Sequence, residues 1–153
     1  MTTQDPRAAT HAYDEALIAD VRANAGQATS GPFVGRQLAL LTTIGARSGE
    51  RRTSPVTYTR DGDRVIVVAS DSGADEHPAW YRNVVAHPIV TVEIGGTAYE
   101  ALAHSAQGEE RDRLYAQHAS VHASFNEYVA QTSRVIPVVI LERLDEKGGA
   151  PRG

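Results

Sequence analysis

The chain contains no cysteine, a single tryptophan, a single methionine and two phenylalanines among 153 residues. Without cysteine there is no disulfide, no thiolate nucleophile and no cysteine-held zinc or iron–sulfur centre. No apolar stretch approaches the roughly 20 residues that a membrane-crossing helix requires. Met1 to Arg7 is polar and has no apolar core of the kind that export signals carry, so a cytoplasmic location is expected, free or peripheral to a membrane. The sequence also lacks a GxGxxG turn, a P-loop, a GxSxG nucleophile elbow and an HExxH pair. His118 and His122 stand four apart and share a helix face, but no third metal ligand accompanies them; packing is the simpler reading. No metal is expected.

What is present fits one soluble domain with one core: 41% of residues are hydrophobic and 22% charged. The net charge of −4 argues against general nucleic-acid binding. Its distribution is uneven. Arg36, Arg47, Arg51, Arg52 and Arg60 share a segment with one acid, Glu50, so that segment carries +4 and the remainder −8. A basic segment on an acidic chain suits a small anionic ligand, or else it is a solvated hairpin face.

Residues 1–9 are expected to be disordered and 146–153 to form a flexible tail, with a single domain over 10–145. Tyr13, Leu17 and Val21, with Ile18, give an amphipathic helix from about Thr10 to Ala25, stopped by Gly26. Its acids Asp14, Glu15 and Asp20 oppose a membrane-surface role. Strands are expected at Leu38–Ile44, Thr53–Thr59, Val65–Ala69, Ile89–Ile94, Thr97–Ala103 and Ile136–Leu141. Asp61-Gly62 and Gly95-Gly96 provide tight turns. Pro55 marks an edge, a bulge or a ligand-facing break. Helices are expected at Ala79–Ala86, Glu109–His118 and Ser124–Ala130. Six strands arranged as hairpins predict a mainly β fold (α+β), a six-stranded antiparallel split β-barrel of FMN-binding type with flanking helices.

Three segments carry chemistry. Thr43-Ile44-Gly45-Ala46-Arg47-Ser48-Gly49 joins a strand to a basic turn whose amides and arginines suit a phosphate or carboxylate. His77-Pro78-Ala79-Trp80-Tyr81-Arg82-Asn83 holds the tryptophan, which reads as a core anchor, and two polar donors. Tyr115, Phe125 and Tyr128 either line an apolar pocket or pack a helix.

In order and spacing these pieces resemble the deazaflavin (coenzyme F-420)-dependent nitroreductase and quinone reductase family. The matching residues are Arg22-Ala23-Asn24-Ala25-Gly26, Gly31-Pro32-Phe33, Thr42 to Gly49, Arg52-Thr53-Ser54-Pro55, Val68-Ala69-Ser70, His77 to Asn83, Ala86-His87-Pro88 and Ile136 to Arg143. The resemblance implies a cofactor site. Ala46, Arg47 and Ser48 fall at its phosphate and acidic tail. Arg52 with Thr53, Ser54, Pro55, Val56 and Thr57 falls along the stem and ring. Val68, Ala69, Ser70 and Asp71 fall beside the ring, and Ala79, Trp80, Tyr81, Arg82 and Asn83 near the tail and ribityl part. Basic residues are common in the family at both 46 and 47; here only Arg47 is basic. The acceptor pocket falls on His122, Phe125 and Tyr128, with fewer hydroxyls than in relatives that reduce nitroimidazoles. A quinone or an activated alkene is therefore expected at least as readily as a nitro compound. Ser70 and Tyr128 are the candidate catalytic donors. The competing readings are an FMN-dependent oxidoreductase on the same barrel, a non-catalytic F-420 carrier, and an empty structural barrel. The partner is a small-molecule acceptor rather than nucleic acid, membrane insertion is not expected, and the chain is a monomer or a homodimer.

Overall fold

Leu38–Ile44 (LALLTTI) is buried at six of its seven positions. A strand buried on both faces needs cover on both sides, and the rest of the chain supplies it. The computed structural model describes residues 6–31, 33–70, 77–123, 125–127 and 135–144, with side chains of the first helix from Asp14 onward.

Helix α1 spans Pro6–Ala23 and begins four residues earlier than expected, with proline at its first position. Leu17 and Val21 are buried and, with Ile18, pack on Leu38 and Leu40 of the first strand. Burial of this kind is worth roughly 1.5–3 kcal/mol per side chain. Ala25 (φ 55°) and Gly26 (φ 89°) turn the chain away from the helix, and the Gly26 N–H donates to the Val21 carbonyl at 2.9 Å. A Cβ at Gly26 would lie 2.6 Å from the Gly95 nitrogen, so glycine permits both the turn and the close approach.

The strands are β1 (Leu38–Ile44), β2 (Arg51–Thr57), β3 (Thr59–Asp61), β4 (Arg64–Val68), β5 (Ile89–Ile94), β6 (Thr97–Ser105) and β7 (Val138–Arg143). They form one sheet in the order β2-β1-β5-β6-β7-β4-β3. Every neighbouring pair is antiparallel. β2 and β3 lie at opposite edges, yet only Tyr58 separates them in the chain. The sheet must therefore curl until its edges meet at that residue, which makes a curled antiparallel half-barrel. The single strand expected over Thr53–Thr59 is two strands, giving seven rather than six. The break is tertiary: the Tyr58 N–H bonds to the Gln37 carbonyl at 3.1 Å instead of continuing the ladder.

Helix α2 (Ala79–Ala86) places Trp80 and Val84 in the barrel interior beside Ala39, Leu41, Val67, Val92 and Val139. Helix α3 (Gly108–Val121) extends three residues past the expected end and covers the outer face of β4 and β7 through Leu114, Tyr115 and Ala119. Phe125, Asn126 and Glu127 are helical; the other residues of the expected Ser124–Ala130 helix lie outside the described residues. β7 begins at Val138, not Ile136, because Pro137 has no N–H for a ladder. Its carbonyl instead accepts from the Ala69 N–H at 2.9 Å. Among the described residues no helix is long and apolar enough to cross a membrane.

Candidate functional site

The β1–β2 connection is tight and self-bonded. The Gly45 N–H donates to the Glu50 carbonyl at 2.8 Å, and the Gly49 N–H to the Gly45 carbonyl at 3.0 Å. Gly49 sits at φ +71°, a conformation that excludes most side chains. Ser48 Oγ accepts from the Glu50 N–H at 3.1 Å, which leaves its O–H to donate outward. Ala46, Arg47 and Ser48 are exposed.

Asn83 holds this turn against α2. On a helix, positions three and four apart share a face, so Asn83 follows the buried Trp80 inward. Its Oδ1 accepts from the Ala46 N–H at 3.0 Å, and its Nδ2 donates to Thr43 Oγ1 at 3.0 Å. Both ends of a buried amide are satisfied across some forty residues of chain. Nearby, the Tyr81 hydroxyl meets Ser105 Oγ at 3.2 Å and Arg82 Nη1 donates to the His77 carbonyl at 3.1 Å. Ala79 and Arg82 are exposed, while Trp80 is a core residue.

Register divides the β2 candidates between two faces. Arg52, Ser54 and Val56 pair with Thr43, Leu41 and Ala39, which share the interior face with Trp80 and Asn83. Thr53, Pro55 and Thr57 pair with Thr42, Leu40 and Leu38, on the outer face under α1. Thr53 and Thr42 join their hydroxyls at 2.8 Å. Pro55 is accommodated because β2 is an edge strand. The basic turn, Arg52 and Asn83 are thus brought together at one end of the half-barrel. Val68, Ala69 and Ser70 are buried at that same end, next to Pro137, and Ser70 is only 1% exposed. Asp71 lies outside the described residues.

Two of the acceptor-pocket candidates, His122 and Phe125, belong to a buried cluster with His118. His118 is fully buried, its Nε2 3.3 Å from Thr57 Oγ1 and its Nδ1 3.3 Å from Thr59 Oγ1. His122 Nε2 donates to the Tyr58 carbonyl at 2.9 Å. Two histidines therefore grip the three residues at which the sheet edges meet. Their rings lie 4.8 Å apart, with Phe125 4.6 Å from His118. Burial, and then the His122 charge, pushes His118 down to about 3. Burial also lowers His122; the Tyr58 carbonyl opposes that, and the Arg36 charge adds to it. Both rings are neutral at pH 7. His122 and Phe125 are enclosed in this packing, and Tyr128 lies outside the described residues. Among the described residues no three metal-ligating side chains come together.

The basic segment is not one patch. Arg47, Arg51 and Arg52 stand at the Ile44 end of β1, whereas Arg36 and Arg60 stand at the Leu38 end beside Tyr58. Alternation of a hairpin between two ends cannot be read from charge counting, and neither can the role of Asn83. The spacing of His118 and His122 beside Phe125 was a visible signal of the cluster.

Comparison with known proteins places this geometry. Residues 16–143 match the model of the F-420H(2)-dependent quinone reductase family. An F-420H(2)-dependent quinone reductase of Mycobacterium tuberculosis (strain ATCC 25618 / H37Rv) is 38% identical over 107 residues, 68% of this chain and 72% of that protein. A solved F-420-H2 dependent reductase (FDR-A) superposes with TM-score 0.65 at 36% identity, over 70% of this chain and 95% of that one. A second solved chain, described as a domain-swapped dimer, gives TM-score 0.67 at 30% identity over 90% of this chain and 100% of that one. The chain belongs to the F-420H(2)-dependent quinone reductase family, whose cofactor is reduced coenzyme F-420.

Proposed function

We propose that the protein passes a hydride from reduced F-420 to an electron-poor organic acceptor, a quinone before an activated alkene or a nitro compound, with the cofactor's anionic tail held at the β1–β2 turn. The observation that carries this reading is the Asn83 clamp, which fixes the basic turn against α2 at the end of the half-barrel where Arg47 and Arg52 stand. The donor set fits an anionic group. Arg47 has no ion-pair partner among the described residues, and the Arg52–Glu50 contact is long, 3.5 Å, between side chains more than half exposed. An exposed pair of that kind yields readily to a better ligand. Arginine forks suit phosphodiester and carboxylate oxygens, which the F-420 tail supplies.

When bound, F-420 supplies a hydride from C-5 of its ring. The protein's share is placement and charge. Arg47, Ser48, Arg52 and the turn amides bind the tail. The backbone of Thr53 to Thr57 and the segment Val68 to Asp71 bracket the ring, and Ala79 to Asn83 close the tail side. Donor and acceptor must be brought to about 3–3.5 Å. Ser70 donates a hydrogen bond to the oxygen that gains charge on the acceptor. Its shelter from water strengthens that bond. Tyr128 is the second donor, and the buried His122 and Phe125 back the acceptor side rather than touch the acceptor. A homodimer is the assembly to look for first.

The test is a fluorescence titration of the purified protein with F-420 beside FMN, at matched ionic strength, for wild type, Arg47→Ala and Arg52→Ala. Saturable binding of F-420 but not FMN is expected. Each variant should weaken it by roughly 1.5–3 kcal/mol, the worth of a charge-assisted hydrogen bond. Unchanged affinity in both variants removes the tail site from the turn.

A further inference from the structure

Pro137 stands at the entry to β7 and limits how that entry can be held. Proline brings no N–H and keeps Ile136 in extended backbone. The Ile136–Pro137 peptide therefore has one polar atom, the Ile136 carbonyl oxygen, on a residue only 1% exposed.

That oxygen is held from α3. Arg111 donates to it twice, from Nη2 at 2.6 Å and from Nε at 3.2 Å. Bonds from a charged donor are the stronger kind, and two from one planar guanidinium fix direction as well as distance. Tyr115, four residues on and so on the same helix face, braces the group: its ring centre lies 4.9 Å from the Arg111 guanidinium. The Tyr115 hydroxyl donates to the Phe125 carbonyl at 2.6 Å, which ties the same support to the His118 cluster.

The next carbonyl carries the constraint to the candidate site. The Pro137 carbonyl accepts from the Ala69 N–H at 2.9 Å, one residue beyond the pairing of Val68 with Val138. Ala69 is buried, and Ser70 follows it in the chain. From the guanidinium to Ser70 the path is two consecutive carbonyls and one amide, all of them backbone. Arg111 is not among the residues assigned to F-420 or to the acceptor above.

We propose that Arg111 is a positioning residue for hydride transfer: by fixing the Ile136 carbonyl it sets, through Pro137 and Ala69, where the Ser70 hydroxyl stands. The proposal rests on Ser70 as the donor to the acceptor oxygen. Displacing a reacting group by about 1 Å costs up to about 10²-fold in rate, while the cofactor's tail site at the β1–β2 turn is left as it was.

The test compares wild type with Arg111→Met, Arg111→Lys, Ser70→Ala and the double variant Arg111→Met/Ser70→Ala. Arg113→Met, which gives up its bonds to Asp61 from the same helix, is the control. The first readout is amide hydrogen exchange in the protein without cofactor. The Ala69 amide should exchange about tenfold faster in Arg111→Met than in wild type or Arg113→Met; equal exchange breaks the path and overturns the proposal. The second is single-turnover oxidation of reduced F-420 by menadione. Arg111→Met should be about tenfold slower, with F-420 affinity within about twofold of wild type. Arg111→Lys, which keeps a charged donor, should recover most of that loss, and Arg113→Met should match wild type. The double variant should be no slower than Ser70→Ala alone, because the two residues act on one step through one hydroxyl. Losses that multiply in the double variant assign Arg111 another route, and slowing by Arg113→Met points to general loosening of α3; either overturns the proposal. If Ser70→Ala is slow and Arg111→Met is not, this proposal alone falls. If Ser70→Ala keeps the wild-type rate, Ser70 falls as the donor and this proposal with it. Should Arg111→Met fail to fold, Arg111→Gln, polar but shorter and uncharged, takes its place in both readouts with the same outcomes.

Discussion

Acidification from pH 7 to pH 5 should weaken the fold through His118. In the folded protein this ring is fully buried between Thr57, Thr59, His122 and Phe125, and its pKa falls from the ordinary 6.5 to about 3. The unfolded chain takes up a proton as pH drops through 6.5, and the folded chain does not do so until about 3. Stability is thus complete above 6.5, declines between 6.5 and 3, and levels off below. At 1.36 kcal/mol per unit, His118 alone removes about 2 kcal/mol at pH 5 and about 5 kcal/mol by pH 3. Against a typical total of about 5–15 kcal/mol that is a large share. Asp20 and Asp61, both lowered below 3.8 by their hydrogen-bond partners, lose their contribution only at more acid pH, so the interval from 7 to 5 isolates the histidines. Urea unfolding at both pH values gives the wild-type difference. His118→Gln keeps one donor and one acceptor but does not titrate, and it should shrink that difference by about 2 kcal/mol. An undiminished difference refutes the assignment. So does a histidine-ring NMR titration in which His118 takes its proton near 6.5 in the folded protein.

Three further outcomes follow from particular contacts. Asn83→Ala leaves the Ala46 N–H and Thr43 Oγ1 without their partner; it should cost about 1–3 kcal/mol of stability and weaken F-420 binding, read by denaturation and by titration. Gly26→Ala puts a methyl 2.6 Å from the Gly95 nitrogen at φ +89°; a loss of about 2–4 kcal/mol in thermal unfolding is expected, and a neutral result denies the close approach of α1 to the β5–β6 turn. Ser70→Ala should slow single-turnover hydride transfer by about 10²-fold with F-420 affinity nearly kept, and an unchanged rate removes Ser70 from the chemistry.

Where local chemistry decides, the sequence and the structure agree. Gly95-Gly96 turns one hairpin, Asp61-Gly62 another, and Ala79–Ala86 begins after Pro78 as its sequence demands. β1 and β5 span the residues expected of them, an apolar run ending before Gly45 and a segment ending before Gly95-Gly96. What sequence could not show was set by tertiary partners. Val56, Tyr58 and Thr59 read as one strand because each fits a pleated surface, yet the strand ends at Thr57 because the next residues must pair with the opposite edge of the sheet. The candidate binding strand was legible as a run, but not its division into an interior set (Arg52, Ser54, Val56) and an outer set (Thr53, Pro55, Thr57), which depends on register with β1.

That division also bears on how the charge is used. Counted along the chain, five arginines between Arg36 and Arg60 form one basic segment. Folding back through an antiparallel hairpin sends three of them to one end and two to the other, about 20 Å apart. At physiological salt the Debye length is about 8 Å, so the two groups do not act as one field. Each must be matched by its own ligand or by its own neighbours. At the Ile44 end the weakly paired Arg52 and the clamped turn suit an extended polyanion lying across the surface. At the Leu38 end Arg36 lines a cavity beside Tyr58, and Arg60 lies over that ring. Substituting Arg36 or Arg60 should therefore leave the salt dependence of F-420 binding at the turn unchanged, and a shift there would show that the two ends are electrostatically coupled after all.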